Sequence, residues 1–229
     1  MLPSLLPVQN ERISARLLND DRCCLDYLKK LQKKIQAPSL LVAASQFSKR
    51  YARFVTEAAF SPIYLEQRYP LMTLDDAELV TDWSAEKWSP SFALQEQSGS
   101  AVSRETVMHD VFAGHLAPLW RTMNTVTRVP MPMLWENTAV RVFSLYEKKL
   151  PSSAAAPLEK QIEGDFRYMV QEASGELFGE AANPLRPFFN SSTEERNSKN
   201  IRVRKTCCFL YETGGGRSCC STCPKYHNF

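Results

Sequence analysis

Apolar residues recur at spacings of three and four along most of this chain, and that period predicts five helices. Over 9–36, Ile13, Leu17, Leu18, Cys24, Leu25, Leu28, Leu31 and Ile35 form one stripe, read as a single helix. A second helix, Ser39 to Ala59, buries Leu40, Ala44, Phe47, Tyr51 and Val55, and Pro62 should end it. Ser103 is placed to cap a third, whose apolar face holds Val107, Val111, Phe112, His115, Leu119 and Trp120. Pro118 should kink that helix. After the break at "VPMPM" a fourth runs from Leu134 to Leu150, and a fifth carries Leu158, Ile162, Phe166, Met169, Val170, Leu177 and Phe178.

Between 61 and 100 the helical period disappears. Prolines and aromatics interrupt the chain, which predicts short strands and loops, with a small antiparallel sheet. Trp83 and Trp88 lie here and read as covering a core. After the fifth helix the polar stretch "NPLRPFFNSSTEERNSKN" predicts a surface connection, and "IRVRKTCC" a short strand. The fold class expected is mainly α with a small β component (α+β). A helical body spans 1–190, and a C-terminal segment, 191–229, carries most of the sulfur.

Composition narrows the function. A chain of 229 residues, 44% hydrophobic and 23% charged, supports one main core with a small appendage. A net charge of +3 is too small to argue for nucleic acid. No apolar run approaches the length of a membrane helix, and the first residues lack the basic start of a signal peptide. The expected location is the cytoplasm, with a peripheral position at the inner membrane as its variant. A reducing compartment disfavours structural disulfides, as does an odd count of seven cysteines.

Five of those seven lie within "CCFLYETGGGRSCCSTCP", residues 207 to 224. Cys23 and Cys24 fall on or beside the first apolar stripe and read as packing residues. Cys220-Ser-Thr-Cys223 is a C-x-x-C chelate, whose turn aims backbone N–H groups at the sulfurs. Cys207 and Cys208 add two thiolates, and Gly214 to Gly216 let the chain fold back. Four thiolates suit tetrahedral zinc or an iron–sulfur cluster. Zinc sites usually present two C-x(2–4)-C knuckles, whereas adjacent cysteines point different ways, so the spacing leans towards iron–sulfur.

The tail also resembles a family. "VRKTCC", ten residues, then a cysteine region closing on C-x-x-C looks like the C-terminal signature of the ferric siderophore reductases (FhuF-like). Arg204, Lys205 and Thr206 belong to that resemblance. So does "LWENTAVRVFSLYEKKL", where Trp135, Asn137 and Thr138 look like a W-x-N-T helix start. The resemblance covers roughly the second half of the chain and departs at one point. Cys219 satisfies the ten-residue gap, whereas the C-x-x-C begins at Cys220. Because the chelate spacing is the harder to relax, Cys207, Cys208, Cys220 and Cys223 are the expected ligands, with Cys219 as alternative.

The resemblance implies a 2Fe-2S cluster, and one-electron reduction of a ferric siderophore of hydroxamate type, releasing Fe(II) in the cytoplasm. The donor would be an external ferredoxin or NAD(P)H-dependent reductase, since no nucleotide loop is present. Arg204, Lys205, Arg217 and Trp135 are the candidate substrate residues, in a tail with seven Lys/Arg against three Glu over its last 36 residues. His227 is a second-choice ligand, and no nucleic-acid partner is expected. Two other readings stand beside this one: a zinc-stabilised interaction protein, and a siderophore-binding protein with a structural cluster.

Overall fold

The computed structural model describes residues 10–70, 72–94, 103–153, 156–196, 198–214 and 219–228. It is mainly helical, with two small antiparallel sheets. Strand β1 (Asn10–Ser14) leads into a single turn, α1 (Ala15–Leu18), and then helix α2 (Asp21–Lys34). The stripe over 9–36 is therefore not one helix. Ser14 Oγ accepts from the Leu17 N–H at 3.2 Å, and Asp20 Oδ1 from the Cys23 N–H at 2.9 Å. Each cap supplies an acceptor to a first-turn N–H that has none inside its helix, and so starts a new one. Upstream of Ser14 the backbone pairs with β2 (Ala77–Asp82), Arg12 opposite Val80. β3 (Ser91–Leu94) completes an antiparallel sheet of order β1-β2-β3.

Helix α3 (Leu40–Leu65), capped by Ser39, packs against both α2 and α6 (Met131–Ser144). Pro62, expected to end α3, lies inside it. The cost is one backbone hydrogen bond, and the last turn it keeps buries Pro62 and Tyr64. The third predicted helix starts at its Ser103 cap as α4 (Arg104–His109), widens into a π-helical stretch at Asp110–Leu116, and continues as α5 (Ala117–Thr127). The wide turn directly precedes Pro118, which has no N–H to give to a regular ladder. "VPMPM" is a beginning rather than a break: Pro130 takes the cap position of α6 and Pro132 its first turn, where proline is tolerated.

The chain continues through a π stretch to α7 (Leu150–Ser153) and then α8 (Glu159–Arg167). The fifth predicted helix stops at Ala173, which turns extended, and Leu177 and Phe178 belong to a separate 3₁₀ turn. After α9 (Arg186–Phe189), the polar stretch expected to be a loop forms a hairpin instead. Its strands are β4 (Thr193–Arg196) and β5 (Lys199–Arg202), with Glu194 opposite Ile201.

The main core draws its buried side chains from Ile13 through Phe188, inside the predicted body. Trp88 is 7% exposed and its Nε1 donates to the Tyr27 hydroxyl at 3.3 Å. Trp83 packs against Tyr27 and donates to Glu11. Both tryptophans are packing residues. Among the described residues, no helix is long and apolar enough to cross a membrane.

Candidate metal centre

Two residues in the middle of α6 pin the C-terminal segment to the body. The Glu136 carboxylate accepts from the Lys205 N–H at 2.5 Å, the Thr206 N–H at 2.7 Å and the Thr206 hydroxyl. It also faces the Arg204 guanidinium at 3.5 Å, both side chains being 1% exposed. Asn137 Oδ1 accepts from Arg204 Nη2 at 2.6 Å, while its amide donates to Ser48 Oγ at 2.9 Å and the Ser45 carbonyl at 3.1 Å. Ser45 and Gln46 then donate to the Cys208 carbonyl. The W-x-N-T helix and the R-K-T-C-C segment, some seventy residues apart in sequence, are thus one buried polar network.

Arg196 of β4 holds the other cysteine loop. Its side chain is 4% exposed, and Nη1 donates to the Ser221 carbonyl at 2.9 Å and the Cys223 carbonyl at 3.0 Å. Its guanidinium lies over the Tyr226 ring at 4.4 Å. A bond from the Arg204 N–H to the Thr222 carbonyl, 3.0 Å, ties the two loops together.

These restraints bring one thiol from each loop together. Cys208 Sγ lies 3.8 Å from Cys220 Sγ and 3.6 Å from the Lys49 ammonium. The Cys220 hydrogen bond draws the Cys208 thiol below its usual range against the effect of burial, helped by Lys49 and Arg204, and the same bond raises Cys220. Burial raises Cys207, with Cys223 and Cys208 close enough for their charges to add. Two backbone N–H groups point at sulfur: Phe209 to Cys207 Sγ at 3.4 Å and Lys225 to Cys223 Sγ at 3.3 Å. Phe209 adopts φ +56 to deliver its bond, a left-handed conformation uncommon for a residue with a side chain.

Sulfur-directed N–H groups and neighbouring ammonium groups are what a bound cluster's negative charge requires, and the donor set fits a thiolate-held group. Cys219 is half-buried and, among the described residues, no contact joins it to the other thiols. No group of three or more Cys, His, Asp or Glu among the described residues is arranged to hold a single metal ion.

A cleft of about 600 Å³ is walled by Lys49, the side chain that reaches Cys208. Lys49, Arg50 and Arg53 of α3, Lys34, Lys87 and Arg141 line it, with Trp88 and, from the cysteine segment, Leu210, Thr213 and Gly214. A second cleft, of about 410 Å³, lies on the far side of Lys49 and Arg141 and reaches Cys220, Ser221 and Thr222.

The candidate substrate residues fare differently. Trp135 is 3% exposed, stacks edge-on with Phe178 at 6.3 Å and offers no surface to a chelate. Arg204 is equally enclosed, its charge committed to Glu136 and Asn137. Both act inside the protein, a correction to the sequence reading. Lys205 is exposed, its backbone held by Glu136. Arg217, Gly215 and Gly216 lie outside the described residues. His227 faces Glu194 at 3.3 Å.

Sequence reasoning missed Glu136, the unnamed x of W-x-N-T, although a carboxylate amid apolar helix positions was a signal. It also missed the "KRYAR" cluster, where Lys49 and Arg53 share one helical face. No protein-family model matches the chain, and no curated protein is significantly similar to it.

Proposed function

We propose that this protein is a ferric siderophore reductase, passing one electron from an external ferredoxin or NAD(P)H-dependent reductase to Fe(III) held by a siderophore, and releasing Fe(II). The observation that carries the reading is the Cys208–Cys220 pair, 3.8 Å apart between two loops that also carry Cys207 and Cys223, with Lys49 reaching from Cys208 to a cleft large enough for a chelate. A two-iron, two-sulfur cluster on those thiolates supplies a one-electron carrier.

The chain's own residues do the rest. Glu136 and Arg196 fix the two cysteine loops. The Phe209 and Lys225 N–H groups and the Lys49 ammonium offset charge at sulfur, which favours the reduced state. Lys49 also lines the cleft, so the bound chelate would sit one side chain from Cys208. Hard siderophore oxygens hold Fe(III) far more tightly than Fe(II), so gain of a single electron frees the metal. Such thiols belong in a reducing compartment, and the cytoplasm is the location proposed.

Purification without oxygen, with metal and sulfide analysis, tests the reading. A red-brown protein with two irons and two sulfides per chain is expected. A colourless protein holding zinc would refute the reading and leave a zinc-stabilised interaction protein.

A further inference from the structure

We infer that the cleft walled by Lys49 selects ferric chelates of net negative charge, built on carboxylate or catecholate oxygens, over neutral hydroxamate complexes. The inference rests on the reductase reading for the identity of the metal, and on the cleft alone for the charge.

Six cations line the cleft: Lys34, Lys49, Arg50, Arg53, Lys87 and Arg141. Among the described residues, Glu86 is the single carboxylate in that lining. The hydrogen bonds they do make leave the charge in place. Lys34 Nζ donates to the Trp83 carbonyl at 3.0 Å, and Arg141 Nε to the Lys49 carbonyl at 3.0 Å. Arg50 donates to the Trp88 carbonyl, with its guanidinium 4.9 Å from the centre of the Trp88 ring. A carbonyl or a ring face satisfies N–H groups without cancelling a unit charge. Arg53 reaches a carboxylate, Glu57, at 3.9 Å, but Lys149 holds that same carboxylate at 2.7 Å.

Four of these cations, Lys34, Lys49, Arg50 and Arg141, are half-buried, so water screens their repulsion only in part. Burial, then the Arg53 charge, hold Arg50 and Arg141 below the ordinary arginine range. An anion in the cleft relieves this crowding, whereas a neutral trihydroxamate complex does not. Recognition that turns on charge gives a difference in affinity that shrinks with salt. The place of the crowding decides which anion is meant. Lys49 is both a wall of the cleft and the ammonium 3.6 Å from Cys208 Sγ, so the ligand it draws in lies one side chain from that thiol.

The test is equilibrium binding, by calorimetry, of redox-inert gallium(III) complexes to the full chain with its cluster: gallium citrate, a gallium tris-catecholate and a gallium trihydroxamate. The carboxylate and catecholate arms separate the two sources of negative charge. At low salt at least one anionic complex should bind about tenfold or more tighter than the trihydroxamate, and salt should narrow the gap. Replacing two exposed lining cations together, Arg53→Gln with Lys87→Gln, should weaken the anionic complex about tenfold and leave the trihydroxamate unchanged. Equal or tighter trihydroxamate binding, or a uniform loss in the variant, overturns the inference. So does failure of every chelate while an acidic ferredoxin binds in a salt-dependent way, which assigns the cleft to the electron donor. Iron release is read separately. Reduction of neutral complexes that bind best refutes the charge preference alone, and anionic binding without reduction refutes the reductase reading alone.

Discussion

Replacing Glu136 with alanine should cost this protein about 3–5 kcal/mol, the usual loss when one partner of a buried ion pair is removed. The carboxylate is 1% exposed and accepts from two backbone N–H groups and a hydroxyl while facing Arg204. In the variant, Arg204 keeps the Asn137 carbonyl at 2.6 Å and the Thr206 carbonyl at 3.2 Å but loses its counter-charge. Orphaned N–H groups at Lys205 and Thr206 would each add about 1–3 kcal/mol if they stayed buried. They need not, because the segment can peel from α6 and find water, which caps the total near the ion-pair term.

Against a native stability of about 5–15 kcal/mol this is a large fraction, and Tm should fall by roughly 10 °C. Urea unfolding followed by circular dichroism measures it, and faster reaction of the tail cysteines with a thiol reagent reports the loosened segment. The double variant Glu136→Ala/Arg204→Met removes both charges and should be more stable than Glu136→Ala alone. A single-variant loss under about 1 kcal/mol, or a double variant that loses the sum of both single changes, would refute the buried-pair account.

Three further expectations follow from the same structure. Serine at Cys220 should destroy the cluster absorption while serine at Cys219 leaves most of it, and the reverse result would move the ligand to Cys219. A chain ending at Asn190 should unfold cooperatively but at lower temperature than the full chain. Its core side chains end at Phe188 and its Glu136 would meet water, so loss of cooperative unfolding would show that the tail is part of the core. His115 is fully buried with Nε2 2.8 Å from the Tyr51 hydroxyl, and burial pushes it from 6.5 down to about 4. Between those values the unfolded chain binds a proton that the native chain refuses, so stability should fall by roughly 3 kcal/mol as pH drops through that window. His115→Gln should flatten that slope in pH-dependent urea melts, and an unchanged slope would place the titration elsewhere.

What could be read from the sequence was what repeats. The apolar period located α3, α5 and α6 because their buried faces span several turns. It failed at Ser14 and Asp20, where a single side-chain oxygen ends one element and starts the next inside an unbroken apolar stripe. The β4–β5 hairpin was legible only at Ile201 and Arg202, where "IRVRKTCC" reads as a strand, for the opposite reason: Thr193–Arg196 and Lys199–Arg202 carry almost no apolar alternation. At the candidate site the cysteines announced themselves by spacing. Their supports did not, because Glu136, Asn137 and Lys49 reach the cysteine loops from helices distant in sequence. The basic residues of the tail drew attention to Arg204, yet burial turns that arginine inward, and the cations around the cleft come from α2, α3, α6 and the loop before β3.

Reduction of the purified protein with dithionite, desalting, and mixing without oxygen with a ferric siderophore and a strong ferrous chelator tests the central claim most directly. The chelator draws the reaction forward by removing Fe(II). The protein should return to its oxidised spectrum as the ferrous complex appears, one iron released per cluster. A reduced spectrum unchanged by hydroxamate, citrate and catecholate complexes alike would contradict the account.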